Sequence, residues 1–335
     1  MARLRSARIE QVKRKLATSL AHGLHRPGDR FLSNRAVAKQ YAISYQTADR
    51  LIGELAAEGL LRRSAGSGTF VPGMTARFAG VQLIFHRRAK RKGSFGARLL
   101  RELTERLDRD GIEWRMAWAD DDRSPTLSPG RYPVIWECPA AISNSVAHGR
   151  SALLLNDRAP SGLASLIVDS ISVDDFSGGA CAAELFLKRD PIRRGTKRRF
   201  AILAGPTGDA RSSARVAGFL SVAPATVVPA ANWFFEAGLA AADRALAGRP
   251  DAIFCCNDRL AEGVLTYCRK HHLPRPPVIG FDDAPIARWL DLTTIAIPWR
   301  DFTSSATAVI QQRLAGLSTG VGSRVLAVVP VVREL

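Results

Sequence analysis

The sequence predicts an α/β protein in two parts. Residues 1–73 carry three short helical patterns and a Gly-rich hairpin, and from residue 80 onward apolar strand-like runs alternate with helical stretches. The positive charge is also uneven, being concentrated in the first part. A chain of 335 residues is too long for one small core and suits a small domain plus a larger one. Hydrophobic residues make up 46% and charged residues 24%, ordinary for a globular protein. The formal charge of +17 favours a polyanionic partner, nucleic acid ahead of an anionic membrane. Residues 1–79 hold 14 Lys/Arg against 5 Asp/Glu, a surplus of nine in under a quarter of the chain.

In the first part, Ile9, Val12, Leu16 and Leu20 recur at helical spacing, so residues 5–22 form an amphipathic helix with a basic outer face. Pro27-Gly28 is a turn. Ser33 suits the N-cap of a second helix carrying Arg35, Val37, Ala38 and Tyr41, and Ser44 caps a third that ends near Gly59. On the third helix Ala48, Leu51, Ile52 and Leu55 make a buried stripe, with Gln46 and Arg50 nearly opposite. Residues 60–64 and 69–72 then read as two strands joined by Ala65-Gly66-Ser67-Gly68, whose glycines let backbone approach a phosphate. Three helices and such a hairpin are a winged helix-turn-helix, which presents its third helix to the major groove. The expected DNA contacts are Arg35, Ser44, Tyr45, Gln46, Thr47, Arg50, Gly66, Ser67 and Gly68, with Gln suited to adenine and Arg to guanine or phosphate.

Residues 72–79 form a connector without helical period, with the linker placed at 74–79. From residue 80 to 335 the strand-like runs are 81–85, 134–136, 152–155, 200–204, 252–256 and 278–281. Helix-like stretches at 95–109, 176–188, 212–222, 235–246 and 259–271 lie between them. That alternation predicts parallel sheets covered on both faces, with ligands at the carboxyl ends of strands. Asn156-Asp157-Arg158, Asn257-Asp258 and Asp282-Asp283 fall at such ends, Arg215 opens a helix, and Trp233 precedes another. Carboxylates, an amide, a guanidinium and an aromatic plane are what a sugar-like polyol needs. The basic runs 87–92 and 193–199 read as solvated loops.

The residues also carry two resemblances. Arg26-Pro27-Gly28-Asp29, Ser33-Asn34-Arg35-Ala36-Val37-Ala38, Leu55-Ala56-Ala57-Glu58-Gly59-Leu60 and Gly66-Ser67-Gly68-Thr69-Phe70-Val71 resemble the DNA-binding domain of the GntR family over residues 5–73. This implies operator contact by Arg35, the first turn of helix three and the wing. Tyr45 and Asp49 stand where that family usually has Arg, which alters the operator sequence. Residues 80–333 resemble the effector domain of the lactose/galactose-repressor family, a type I periplasmic-binding-protein fold. The carrying motifs are Val173-Asp174-Asp175-Phe176-Ser177-Gly178-Gly179, Ser213-Ala214-Arg215-Val216-Ala217-Gly218-Phe219, Cys256-Asn257-Asp258-Arg259 and Val278-Ile279-Gly280-Phe281-Asp282-Asp283. That resemblance implies effector-binding positions at Asp157, Arg158, Arg215, Trp233, Asn257, Asp258 and Asp282. It also implies two lobes, 80–173 with 296–320 and 174–295 with a last strand at 325–332, and a ligand held between them. Ile297 replaces the usual Gln after the Thr-Thr motif.

The whole reads as a transcription regulator, most often a repressor, acting as a homodimer on a palindromic operator under control of a carbohydrate effector. The alternative is a sugar-binding protein or sensor without sequence-specific DNA binding. An enzyme is disfavoured: Asp120-Asp121-Asp122 sits in a polar loop, His271 and His272 are adjacent and diverge, and no GxSxG motif occurs. The five cysteines form no CxxC or metal spacing, so reduced buried thiols, no metal and no cofactor are expected. No apolar export core and no membrane-length apolar run are found, so the expected location is the cytoplasm, with no membrane partner.

Overall fold

The computed structural model describes residues 2–21, 29–57, 60–64, 66–71, 78–121, 123–147, 150–157, 168–189, 198–316 and 322–333. The turn Pro27-Gly28, the end of helix three at Gly59, most of the connector and Arg158 lie outside the described residues.

The N-terminal segment contains α1 (Ala2–Ala21), α2 (Asn34–Tyr41), α3 (Tyr45–Ala57), β1 (Arg62–Ser64) and β2 (Gly68–Phe70). The Ser33 hydroxyl accepts from the Ala36 amide at 3.2 Å and caps α2. Ala42, with φ 49°, makes the left-handed turn into α3. Val12, Leu16, Val37, Ala48, Leu51, Ile52, Leu55, Leu61 and Val71 form one core, so the helical stripe read from sequence is the packed face. The first wing strand starts at Arg62, not at residue 60. The Leu60 and Leu61 amides bond back to the Leu55 carbonyl (2.9 and 3.2 Å) and close the helix end. The hairpin is antiparallel, with Arg63 opposite Thr69 and Ser64 opposite Gly68. Residues beside Arg30 add a third edge, through Phe31 N to Thr69 O and Val71 N to Asp29 O, both 2.8 Å.

The chain divides into two compact units. The first comprises Met1–Lys90, Leu99–Ser172 and Phe302–Arg324; the second comprises Arg91–Arg98, Val173–Asp301 and Val325–Leu335. After the wing the elements run β3 (Gly80–His86), α4 (Phe95–Arg109), β4 (Trp114–Ala119), β5 (Arg131–Trp136), α5 (Pro139–Ala147), β6 (Ala152–Leu155) and β7 (Val168–Val173). Next come α6 (Asp175–Arg189), β8 (Phe200–Ala204), α7 (Ala210–Val222), β9 (Ala225–Pro229), α8 (Phe235–Leu246), β10 (Ala252–Cys255) and α9 (Asp258–Lys270). The chain closes with β11 (Val278–Asp282), α10 (Pro285–Trp289), β12 (Thr293–Ala296), α11 (Trp299–Leu314), β13 (Ser323–Leu326) and β14 (Val329–Val331).

One six-stranded sheet has the order β13-β7-β6-β5-β3-β4, the other β14-β12-β11-β10-β8-β9. The inner pairs are parallel, as the near-continuous apolar strands demand. The single last strand expected at 325–332 is instead two. Ser323–Leu326 edges the first sheet, and Val329–Val331 pairs antiparallel with β12, where Pro330 is tolerated because β14 is an edge.

Within the first unit, β7 hides a charge. The Asp169 carboxylate is gripped by Arg313 through two hydrogen bonds of 2.8 Å, accepts the Tyr132 hydroxyl at 2.8 Å, and takes the Gly322 amide at 2.9 Å. Burial, with Asp169 alongside, pushes the Tyr132 phenol well above its ordinary value.

In the second unit, α6 and α7 meet with no side chain between them. A Cβ at Gly218 would stand 1.9 Å from the Phe176 carbonyl, and one at Gly179 1.9 Å from the Arg215 carbonyl. We predict that Gly218→Ala lowers stability by roughly 1–3 kcal/mol through overpacking. Gly248→Ala, with nothing within 4 Å, should stay within about 0.5 kcal/mol. Urea unfolding of the two variants checks this, and equal midpoints would contradict the packing account.

Candidate DNA-reading surface and effector site

The polar side of α3 faces outward. The Ser44 hydroxyl accepts the Thr47 amide at 3.1 Å and lies 2.8 Å from the Thr47 hydroxyl, so both help fix the first turn. Tyr45 is 54% exposed, and Gln46, Arg50 and, on α2, Arg35 are exposed. Arg50 lies 3.6 Å from Glu54. At the hairpin tip Gly66 and Gly68 have φ 73° and 114°, conformations that L side chains rarely adopt, and Ser67 is exposed between them. The expected reading residues are thus a capped first turn, an exposed helix face and a glycine tip.

The second site forms in the second unit around a buried guanidinium. Arg215, 3% exposed, donates through Nε to Asp175 Oδ1 at 2.7 Å, and its Nη1 donates to the Cys256 carbonyl and lies 3.5 Å from Asp282 Oδ1. Its Cζ sits 3.6 Å over the Phe281 ring. Burial alone would lower its pKa, but Asp175 and Asp282 outweigh that and raise it. The glycine contact between α6 and α7 brings Asp175 and Arg215 within reach, and Gly178 leaves room for the Phe281 ring, which a Cβ there would meet at 2.5 Å.

Asp282 ends β11 with φ 104°, a strained conformation for a residue with a side chain. Burial, reinforced by Asp175 and opposed by Arg215, pushes its carboxyl up to about 6. Trp233 lies flat against Gly205, where a Cβ would meet its ring at 2.4 Å. Its Nε1 donates to Asp209 at 3.2 Å. Asp209 also caps α7 through the Arg211 and Ser212 amides. Burial opposes its charge, yet Arg211, the Ser212 amide and Trp233 hold its pKa below the usual carboxylate value.

Asn257 caps α9, accepting the Leu260 amide at 2.8 Å, and its Nδ2 donates to the Trp233 carbonyl at 2.9 Å. It therefore positions the tryptophan. Asp258 is placed differently. It is fully buried, one oxygen accepting the Thr294 hydroxyl at 2.6 Å and the other the Ala284 amide at 2.6 Å. Those bonds tie α9, β12 and the turn before α10 together through its carboxylate. Burial pushes its pKa well above the ordinary value. Asp157 is exposed just beyond β6 in the first unit. Asp175 and Asp209 are not among the effector positions expected from the sequence; both enter the site as partners of Arg215 and Trp233.

Burial pushes the Cys256 thiol up to about 12 and Cys255 well above its usual range, so neither is a ready nucleophile. Cys181 is half-buried rather than buried. Among the described residues no His, Cys, Asp or Glu cluster could hold a metal ion, and no helix is long and apolar enough to cross a membrane.

Comparison with known proteins matches each part of the chain. Residues 8–71 match the family model of bacterial regulatory proteins, gntR family, and residues 192–334 match that of the periplasmic binding protein-like domain. The HTH-type transcriptional regulator GalS of Salmonella typhimurium is 41% identical over 70 residues, 19% of this chain and 21% of that protein. The arabinose metabolism transcriptional repressor of Geobacillus stearothermophilus is 23% identical over 347 residues, 91% of this chain and 90% of that protein. The solved complex of the transcriptional regulator CelR with cellobiose shares the fold at TM-score 0.65 and 18% identity, covering 97% of this chain and 98% of that one. The chain spans between 21% and 38% of the length of the first curated relatives it matches. The chain thus carries an N-terminal match to the gntR family model and a C-terminal match to the periplasmic binding protein-like domain model.

The raised Asp282 pKa has a stability consequence. Between the ordinary carboxylate value and about 6, the folded state holds a proton that the unfolded chain has released. Stability from this group is therefore full below that window and falls as pH rises through it. Asp282→Asn should remove on the order of 1–3 kcal/mol of that fall. Denaturation of both proteins at pH 4 and pH 7 checks this; parallel pH dependence would contradict it.

Proposed function

We propose that the protein is a DNA-binding transcription regulator, acting as a repressor, whose operator affinity is set by a small carbohydrate effector held at the Arg215 site. The observation that carries this reading is the outward face of α3. Its first turn is capped and rigid, its opposite face is wholly buried, and Tyr45 and Gln46 stand exposed beside a glycine-tipped hairpin. Gln46 suits adenine, while Arg35 and Arg50 suit guanine or backbone phosphates. A homodimer would place two such helices on half-sites of a palindrome, about 34–36 Å apart.

The effector reading rests on Arg215, Asp282, Trp233 and Asn257 of the second unit. A guanidinium and a strained carboxylate can each take adjacent hydroxyls, and the indole offers a flat apolar face to a sugar ring. The relative that acts in arabinose metabolism and the CelR complex with cellobiose support a carbohydrate. A ligand alters DNA affinity only through its unequal affinity for two states, typically a coupling of ~1–3 kcal/mol.

Selection of genomic fragments by the full chain, followed by titration at several salt concentrations, tests this reading. A salt-sensitive preference for particular fragments is expected; salt-sensitive binding without preference, or none, refutes it. Gln46→Ala should weaken the selected site about tenfold or more while leaving the melting temperature unchanged. Trp233→Leu should leave DNA affinity within about twofold but remove the response to a sugar found by thermal-shift screening. Retained induction would rule out the tryptophan face.

A further inference from the structure

Resting on that DNA-binding reading, we propose that Arg63, on the wing, is a guanine-reading residue of this protein, and that Asp49 on α3 positions it. Position 49 of the reading helix is an aspartate, in the midst of the outward stripe formed by Gln46, Asp49, Arg50 and Gly53. A bare carboxylate there would face the polyanion and repel it. The structure fills the place from another element. Arg63 leaves β1 and brings its guanidinium across to α3, where Nη2 donates to Asp49 Oδ1 at 2.6 Å and to the Asp49 carbonyl at 2.8 Å. From the other side, Asn34 Nδ2 at the start of α2 donates to the same Oδ1 at 2.7 Å. The guanidinium also passes over residue 53, where a Cβ would lie 3.9 Å from Nη1, an ordinary contact.

This clasp joins the wing, the reading helix and the helix before it through one carboxylate. The Arg63 and Asp49 side chains are 42% and 48% exposed, so the pair adds little to stability, as surface ion pairs do. What it supplies is a fixed direction. The hydrogen bonds formed use only Nη2, so the two hydrogens of Nη1 and the one on Nε, which lie on different edges of the guanidinium, remain for other acceptors. A guanine edge offers two acceptors, O6 and N7, in the major groove, and the two hydrogens of Nη1 can be presented to them while Nη2 stays on the carboxylate. The charge that α3 lacks at position 49 is thus delivered by the wing to the same stripe.

The test uses the full chain and the DNA site it selects, with each base pair of that site varied in turn. The unaltered protein should prefer guanine at one position of each half-site by about tenfold or more. Arg63→Ala and Asp49→Ala should each reduce that preference to about twofold or less, and the double variant should be no worse than either single one. Arg63→Lys, which keeps the charge but cannot hold Asp49 and the base at once through separate nitrogens, should retain the salt dependence and lose the preference. Unchanged melting temperatures would show that the fold survives in each. If Arg63→Ala keeps the guanine preference, the proposal is wrong. If it weakens all sequences equally and lowers the salt slope by about one, Arg63 contacts a phosphate and the guanine assignment is overturned. Should the unaltered protein select no sequence at all, the DNA-binding reading itself falls, and this one with it.

Discussion

A positive charge withdrawn from water costs several kcal/mol unless the protein surrounds it with matched partners. Arg215 meets that condition through Asp175, Asp282, the Cys256 carbonyl and the face of Phe281. Much of the second unit's architecture follows from holding those four groups in place. Asp175 begins α6 and Arg215 lies in α7, so the two helices must approach until backbone touches backbone, which only Gly179 and Gly218 permit. Phe281 must reach past α6, which Gly178 permits. Asp282 ends its strand at φ 104° beside that guanidinium. The small residues serve the charge, and the charge organises the carboxyl end of the sheet.

Under the proposed effector role, that arrangement would leave the site ready before a ligand arrives. Trp233 is held at both ends, by Asp209 at the indole nitrogen and by Asn257 at its carbonyl. Asp258, one residue beyond, ties the β12 side of the sheet to the turn before α10. Rigid polar groups lose little entropy on binding, so their hydrogen bonds convert more fully into affinity. The DNA-reading segment follows the same logic on a smaller core. Ser44 fixes the first turn of α3, and aliphatic side chains hold its inner face.

Much of this was legible from residues alone. The runs 152–155 and 200–204 are strands at the expected bounds, and 95–109 and 235–246 are helices at theirs, because their apolar periodicity is uninterrupted. The strand Val168–Val173 was not read, since Asp169, Ser170 and Ser172 break its pattern; Arg313 and Tyr132, far away in sequence, make that buried aspartate tolerable. The helix Trp299–Leu314 was obscured by Thr303, Ser304, Ser305 and Thr307, weak helix formers, one of which bonds back to the Thr303 carbonyl at 3.0 Å. At the site, Arg215, Trp233 and Asp282 stood out as polar residues at strand and helix ends. Asp258 stood out equally, but only three-dimensional partners reveal that its oxygens are consumed inside the protein. The absence of arginine at position 49 was visible in the chain; its replacement by Arg63 was not, because nothing in a hairpin's sequence says where a long side chain crosses.

Where one chain couples a metabolite to a DNA sequence, thermodynamic linkage makes the coupling symmetric. Titrating the effector calorimetrically into the free protein and into its operator complex measures the coupling directly. A repressor released by its effector should bind it more weakly when on DNA, by the same factor, about 5–150-fold, by which effector weakens operator binding. Equal effector affinity in the two titrations would contradict the account.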